Sequence, residues 1–197
     1  MKDVCINIKI CAMYKHFFAL LLVFLFSLEV CAENLNLTKI TDTNNKIDIE
    51  FNDTLKLCDF TFSQDNLISP FYENNGNKYY FFYFLDRQFK NDIITKIKDK
   101  KSIVNTGKGK IEYKINKCSI VKTPKTILAF MSVIFNDNIE VSCNILNGKY
   151  GLWVSLPSIK ERDKWKKIFD IKDKNLKEEI DTKLIKYYKQ KKNDTKF

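Results

Sequence analysis

NDNIEVSCNILNGKYGLWVSLPS, residues Asn136 to Ser158, is the stretch whose reading decides the fold. Ile139, Val141, Cys143 and Ile145 alternate with Glu140, Ser142 and Asn144, the period of a strand with one buried face. Asn147-Gly148 breaks that period and predicts a tight hairpin turn there. Leu152, Val154 and Leu156 restart it, or Trp153 and Ser155 facing the other way, and Pro157 ends it. The stretch reads as strand, turn, strand, followed by a basic loop.

The run Gly148-Lys149-Tyr150-Gly151-Leu152-Trp153-Val154-Ser155-Leu156-Pro157-Ser158 resembles the signature of the stage V sporulation protein G (SpoVG) family: a glycine turn, then Gly-Leu-aromatic-Val-small-Met/Phe-Pro-Ser. The structural signature residues are Gly148, Gly151, Leu152, Trp153, Pro157 and Ser158. The resemblance extends from Ile115 to about Tyr188. Ile115 to Ile120 matches the family's first strand, Ile127 to Asp137 its second, and Lys174 to Tyr188 its C-terminal helix. It implies a small antiparallel sheet with a helix, paired into a dimer. It also implies a part in septation, sporulation and gene regulation, with DNA or RNA bound by several members.

The N-terminus reads differently. Met13-Tyr14-Lys15-His16 precedes the apolar run Phe17 to Leu28, and Val30-Cys31-Ala32 follows. A basic start, a short apolar run and a V-x-A end are the pattern of a secretory signal peptide cleaved after Ala32. Met13 makes a better start than Met1. The run falls short of the roughly 20 residues that span a bilayer, so an uncleaved anchor is the lesser alternative. So is a lipoprotein at Cys31, because Val30 fits that role poorly. The expected location is therefore the periplasm or cell envelope. Beyond residue 32 the cysteines are Cys58, Cys118 and Cys143. Three allow at most one internal bridge, and their wide spacing is no metal motif.

Residues 33–107 read as a degenerate second unit of the same kind as 108–197. Phe51-Asn52-Asp53-Thr54-Leu55-Lys56-Leu57 lines up with Phe135 to Val141, and Phe89 to Ile97 with Leu176 to Leu184. The first unit has Ile68-Ser69-Pro70-Phe71-Tyr72 where the second has its signature. The expected fold is thus α+β: two tandem units behind a signal peptide, each a small antiparallel sheet with a C-terminal helix. A single such unit is near the size at which burying enough apolar surface is difficult. The two are expected to dock as an intramolecular pseudo-dimer, leaving the protein a monomer.

Leu176, Ile180, Leu184 and Tyr187 or Tyr188 form one apolar helical stripe, with Asp173 or Asn175 as N-cap. Lys98 to Lys110, charged and holding Gly107 and Gly109, is the expected linker. Tyr79 to Leu85, seven apolar or aromatic residues in a row, predicts a strand covered on both faces.

Charge is divided unevenly. Residues 33–108 hold 11 basic and 11 acidic side chains, whereas 109–197 hold 20 basic against 11 acidic, a net of +9. The excess is densest at Lys160, Arg162, Lys164, Lys166 and Lys167, the candidate polyanion-binding set. Glu161, Asp163, Asp170 and Asp173 interrupt it, and the competing reading is a solvated surface. The single histidine, His16, lies in the leader, so neither a Ser-His-Asp nor a Cys-His pair is available beyond it. No phosphate- or dinucleotide-binding glycine pattern occurs. The sequence points to a protein without catalysis, cofactor or metal. The preferred role is an exported envelope module for an unknown protein or polyanion. The alternative is a nucleic-acid-binding regulator, if the chain stays in the cytoplasm.

Overall fold

The computed structural model describes residues 35–43, 46–99 and 109–194. The leader, with its cleavage and lipoprotein readings, and most of the expected linker lie outside these residues. The fold is α+β, every strand pair is antiparallel, and a helix ends the chain.

The N-terminal half runs β1 (Leu37–Thr43), β2 (Lys46–Phe51), β3 (Leu55–Ser63), β4 (Asn66–Ile68), β5 (Phe71–Asn74), β6 (Asn77–Tyr80), β7 (Phe82–Phe84) and α1 (Arg87–Lys98). The C-terminal half runs β8 (Tyr113–Ile120), β9 (Ile127–Phe135), β10 (Ile139–Gly148), β11 (Gly151–Ser155), β12 (Ser158–Glu161), β13 (Lys164–Lys167), β14 (Phe169–Ile171) and α2 (Lys174–Asp194). One sheet has the order β1-β2-β3-β14, with β4 also on β3; the other has β11-β10-β9-β8, with β7 also on β10. The last strand before each helix therefore adds to the sheet of the other half. β5–β6 and β12–β13 stand apart as two-stranded hairpins.

The two turns Phe51-Asn52-Asp53-Thr54 and Phe135-Asn136-Asp137-Asn138 are built alike. Asn52 and Asp53 have φ of 51° and 53°, Asn136 and Asp137 of 46° and 54°. These are left-handed conformations that Asn and Asp tolerate better than other non-glycine residues. The Thr54 N–H donates to Phe51 O, and the Asn138 N–H to Phe135 O, both at 2.9 Å. Both asparagines are buried. Asn52 Oδ1 accepts from the Asn36 N–H and its Nδ2 donates to Gly109 O; Asn136 Oδ1 accepts from the Glu112 N–H and its Nδ2 donates to Lys110 O. Each turn thus satisfies part-buried backbone groups that no sheet pairs.

The junctions between halves also match. Phe84, Tyr83 and Phe82 oppose Ile139, Glu140 and Val141; Ile171, Asp170 and Phe169 oppose Leu55, Lys56 and Leu57. The Ser142 N–H donates to Phe81 O and the Cys58 N–H to Ile168 O. Phe82 and Phe169, each 1 % exposed, meet with ring centroids 6.1 Å apart. Phe82 also packs on Phe60, and Phe169 on Phe135. Burial of each such ring contributes roughly 1.5–3 kcal/mol, so the exchanged strands lie inside the shared core.

Asp86 and Asp173 cap the two helices, each carboxylate accepting from the backbone N–H groups two and three residues on. Ile180, Leu184 and Tyr188 form the buried stripe of α2, and Ile93 is buried on α1. Two local expectations are corrected. The residues from Tyr79 to Leu85 are not one strand: β6 ends at Tyr80, the chain bends at Phe81, and β7 starts at Phe82. Leaving its own hairpin to join β10 requires that bend. The hairpin turn is not at Asn147-Gly148 either. β10 continues through Gly148, which pairs with Gly151, and the tip is Lys149-Tyr150. Gly151 takes φ of 113°, and a Cβ on Gly148 would lie 3.0 Å from the Trp153 indole nitrogen. Both glycines are needed beside the tip, not in it.

The candidate functional site: a cationic hairpin

The signature residues build the base of an arm. Pro157 is buried, and its carbonyl accepts from the N–H groups of Ile168 and Phe169 at 3.0 and 3.4 Å. β12 leaves directly after it and β13 returns to it. Leu152 packs against the core and Trp153 is half-exposed on the neighbouring hairpin. Gly148, Gly151, Leu152, Trp153, Pro157 and Ser158 thus shape the strands that carry the arm; their role is structural.

The arm itself is polar. Ser158 opposes Lys167, Ile159 opposes Lys166, Lys160 opposes Trp165, and Glu161 opposes Lys164. Cross-strand neighbours share a face, so Lys160, Trp165 and Lys167 lie together. Trp165 is 70 % exposed, unusual for so large an apolar ring. Arg162 turns the tip with φ of 54°.

The five candidate cations fall into two groups. Lys166 points back into the protein: its Nζ lies 2.7 Å from Asp59 Oδ1, a carboxylate with only 5 % of its side chain exposed, and 3.4 Å from Glu161. The hydrogen bond to Asp59 raises the Lys166 pKa, holding it charged. Lys167 lies 3.4 Å from Asp170. No salt bridge among the described residues uses Lys160, Arg162 or Lys164, and all three are exposed. The free charge is therefore at the tip, beside Trp165. Spacing gave all five cations equal standing; Asp59 is 107 residues from Lys166, beyond the reach of any local pattern.

The hairpin β5–β6 occupies the corresponding position in the N-terminal half and has another chemistry. Phe71 opposes Tyr80, and Tyr72 opposes Tyr79 with rings stacked at 5.0 Å. Phe71, Tyr72 and Tyr79 are exposed, and the Phe81 N–H donates to Pro70 O as the Ile168 N–H does to Pro157 O. Pro70 is the counterpart of Pro157. That proline was the one signal in the sequence that could have located this second arm.

Cys58, Cys118 and Cys143 are free thiols. Burial pushes the Cys58 and Cys143 thiols up to about 12 and raises that of Cys118 as well. Cys58 and Cys143 are inert core thiols, and Cys118 is half-buried against the same core. Among the described residues no three His, Cys, Asp or Glu side chains are grouped so as to hold a metal ion, and none of the helices is long and apolar enough to cross a membrane.

Residues 111–190 match the family model described as SpoVG. No curated protein and no solved structure matches the chain.

Proposed function

Because residues 111–190 are a SpoVG-family domain, we propose that this protein is a non-catalytic regulator of the septation and sporulation type. It works as an exported envelope module and touches a polyanionic partner through the β12–β13 hairpin. The observation that carries the contact reading is the tip itself: Lys160, Arg162 and Lys164, free of ion pairs among the described residues, with an exposed Trp165 on the Lys160 face. Lys166 and Lys167 hold the arm to β3 and to Asp170 rather than serving the partner. The leader pattern supports export, and export makes an anionic polymer or lipid surface the partner.

One observation favours nucleic acid as a second reading. An exposed aromatic ring flanked by cations can stack a base while neutralising phosphates, and Trp165 opposite Lys160, with Arg162 at the tip, has that arrangement.

The chain also supplies both members of a pair. Duplication of one unit is supported by the shared element order, by the two Asn-Asp turns, and by the reciprocal bonds at Pro70 and Pro157. The arms then diverged, one aromatic and one cationic.

Two experiments test the proposal. Changing Lys160, Arg162 and Lys164 to glutamate should abolish salt-sensitive binding to single-stranded nucleic acid, anionic vesicles or an anionic polymer, and leave the melting temperature nearly unchanged. Wild-type protein that binds none of these at low salt refutes the contact reading. Mass spectrometry of protein from its native host should find Glu33 as the mature N-terminus; an intact peptide from Phe26 to Asn36 in soluble cytoplasm refutes export.

A further inference from the structure

The two junctions at which the halves exchange strands are alike in geometry and opposite in chemistry. Where β14 lies on β3, Asp170 stands opposite Lys56. Beside that pair, Lys172 Nζ is 2.6 Å from Glu50 Oε2, whose side chain is 10 % exposed. Lys166 Nζ is 2.7 Å from Asp59 Oδ1, whose side chain is 5 % exposed. Where β7 lies on β10, Tyr83 stands opposite Glu140. The positions of Lys172 and Glu50 are taken by Leu85 and Ile134, and that of Lys166 by Tyr79. Asp59 has no counterpart. It is an extra residue, φ 68°, at the register shift where Ile47 comes to oppose Phe60; in the other half Met131 opposes Cys143 with no shift there. One junction is ionic and the other is aliphatic and aromatic.

A pair of identical units uses one surface twice, so every contact must be self-complementary. Neither half of this chain is. Two C-terminal halves in the same register would set Asp170 against Glu140, a carboxylate only 6 % exposed and already bonded to Asn116 and Lys117. They would also bring Lys172 to the buried Ile134 and leave Lys166 without Asp59. Two N-terminal halves would leave Asp59 buried beside Tyr79 without its cation, and would put Leu85 where Lys172 meets Glu50, leaving that carboxylate only Lys56 opposite it on β3. Like charges placed opposite each other on neighbouring strands destabilise the pairing, and a buried charge stripped of its partner is strongly unfavourable. Discrimination of this kind works by penalising the wrong partner as much as by rewarding the right one.

We infer that the strand-exchange surface of the C-terminal half accepts only the N-terminal half, and that charge excludes a second copy of the C-terminal half from it. This goes beyond the functional reading and stands on strand register and side-chain contacts, whatever the ancestry of the halves.

The test lets the halves re-sort. A protease site is inserted between residues 100 and 108 of the full chain and cut after folding. Native mass spectrometry should then show the one-to-one complex of unlike halves in more than tenfold excess over either like pair. In the same cut chain, giving β14 the residues of β7 (D170Y together with K172L) should let like pairs of C-terminal halves form. A statistical mixture from the wild-type chain overturns the inference, as does an unaltered distribution from the variant. The uncut chain provides a second readout that does not depend on the cut halves staying associated. Glu50→Gln and Lys172→Gln should each lower the melting temperature, and the double variant should lose clearly less than the sum of the two, because the pair acts as a unit across the junction. Strictly additive losses overturn the inference too.

Discussion

Asn136 ties its turn to the chain that leads into β8, and its removal can be worked through. Its Oδ1 accepts from the Glu112 N–H at 3.1 Å and its Nδ2 donates to Lys110 O at 3.0 Å. Its own N–H donates to Glu112 O at 2.9 Å, at φ of 46°. Asn136→Ala deletes both side-chain bonds and leaves two part-buried backbone groups short of partners, at about 1–1.5 kcal/mol each, the low end for groups that water can reach. It also places alanine in the left-handed region, at about 1–2 kcal/mol. The expected loss is about 3–5 kcal/mol, a large part of the roughly 5–15 kcal/mol that stabilises a domain. Asn136→Gly keeps the first cost and removes the second, so it should be less destabilised than Asn136→Ala by about 1 kcal/mol. Equilibrium urea unfolding of the three proteins measures both differences. An alanine variant within 1 kcal/mol of wild type would refute the reasoning. So would a glycine variant as unstable as the alanine one, because the backbone strain would then count for nothing.

Further outcomes follow from the same contacts. Leu184→Ala empties a site on α2 that is fully buried and should cost about 2–5 kcal/mol by urea unfolding. Cys58 and Cys143, their thiols pushed up to about 12 by burial, should resist a thiol reagent at pH 8 in the native protein; Cys118, half-buried, should react first, and equal rates would show that the core opens. Burial works against the charge of Glu140, but the Asn116 amide at 3.0 Å and the Lys117 ammonium at 3.2 Å favour it, and its pKa is held below the ordinary carboxylate value. Its folded pKa is therefore below its unfolded one. The stability it contributes is full above the ordinary pKa of about 4.3 and is lost as pH falls through the lower folded value. Melting temperatures from pH 7 to pH 3 should fall less steeply for Glu140→Gln than for wild type.

The sequence by itself determined what depends on neighbours along the chain. Alternation located β10 and β11, because a strand with one buried face has a period of two. The parallel between Phe51 to Leu57 and Phe135 to Val141 was legible, and it holds two turns alike in φ because Asn and Asp tolerate the left-handed region. Asp173, one of two candidates, proved to be the cap of α2. The tip at Lys149-Tyr150 was missed because Gly148 and Gly151 serve the strands on either side, one making room for the Trp153 ring. Only the tertiary structure decided which sheet receives β7 and β14: the alternation of three-residue strands such as Phe-Tyr-Phe and Phe-Asp-Ile does not name a partner. The bend at Phe81 follows from that exchange. So does the division of the cations, since Lys166 is tied to a bulge residue in β3. Long-range pairing depends on two surfaces fitting at once, and neither surface exists until the other half has folded against it.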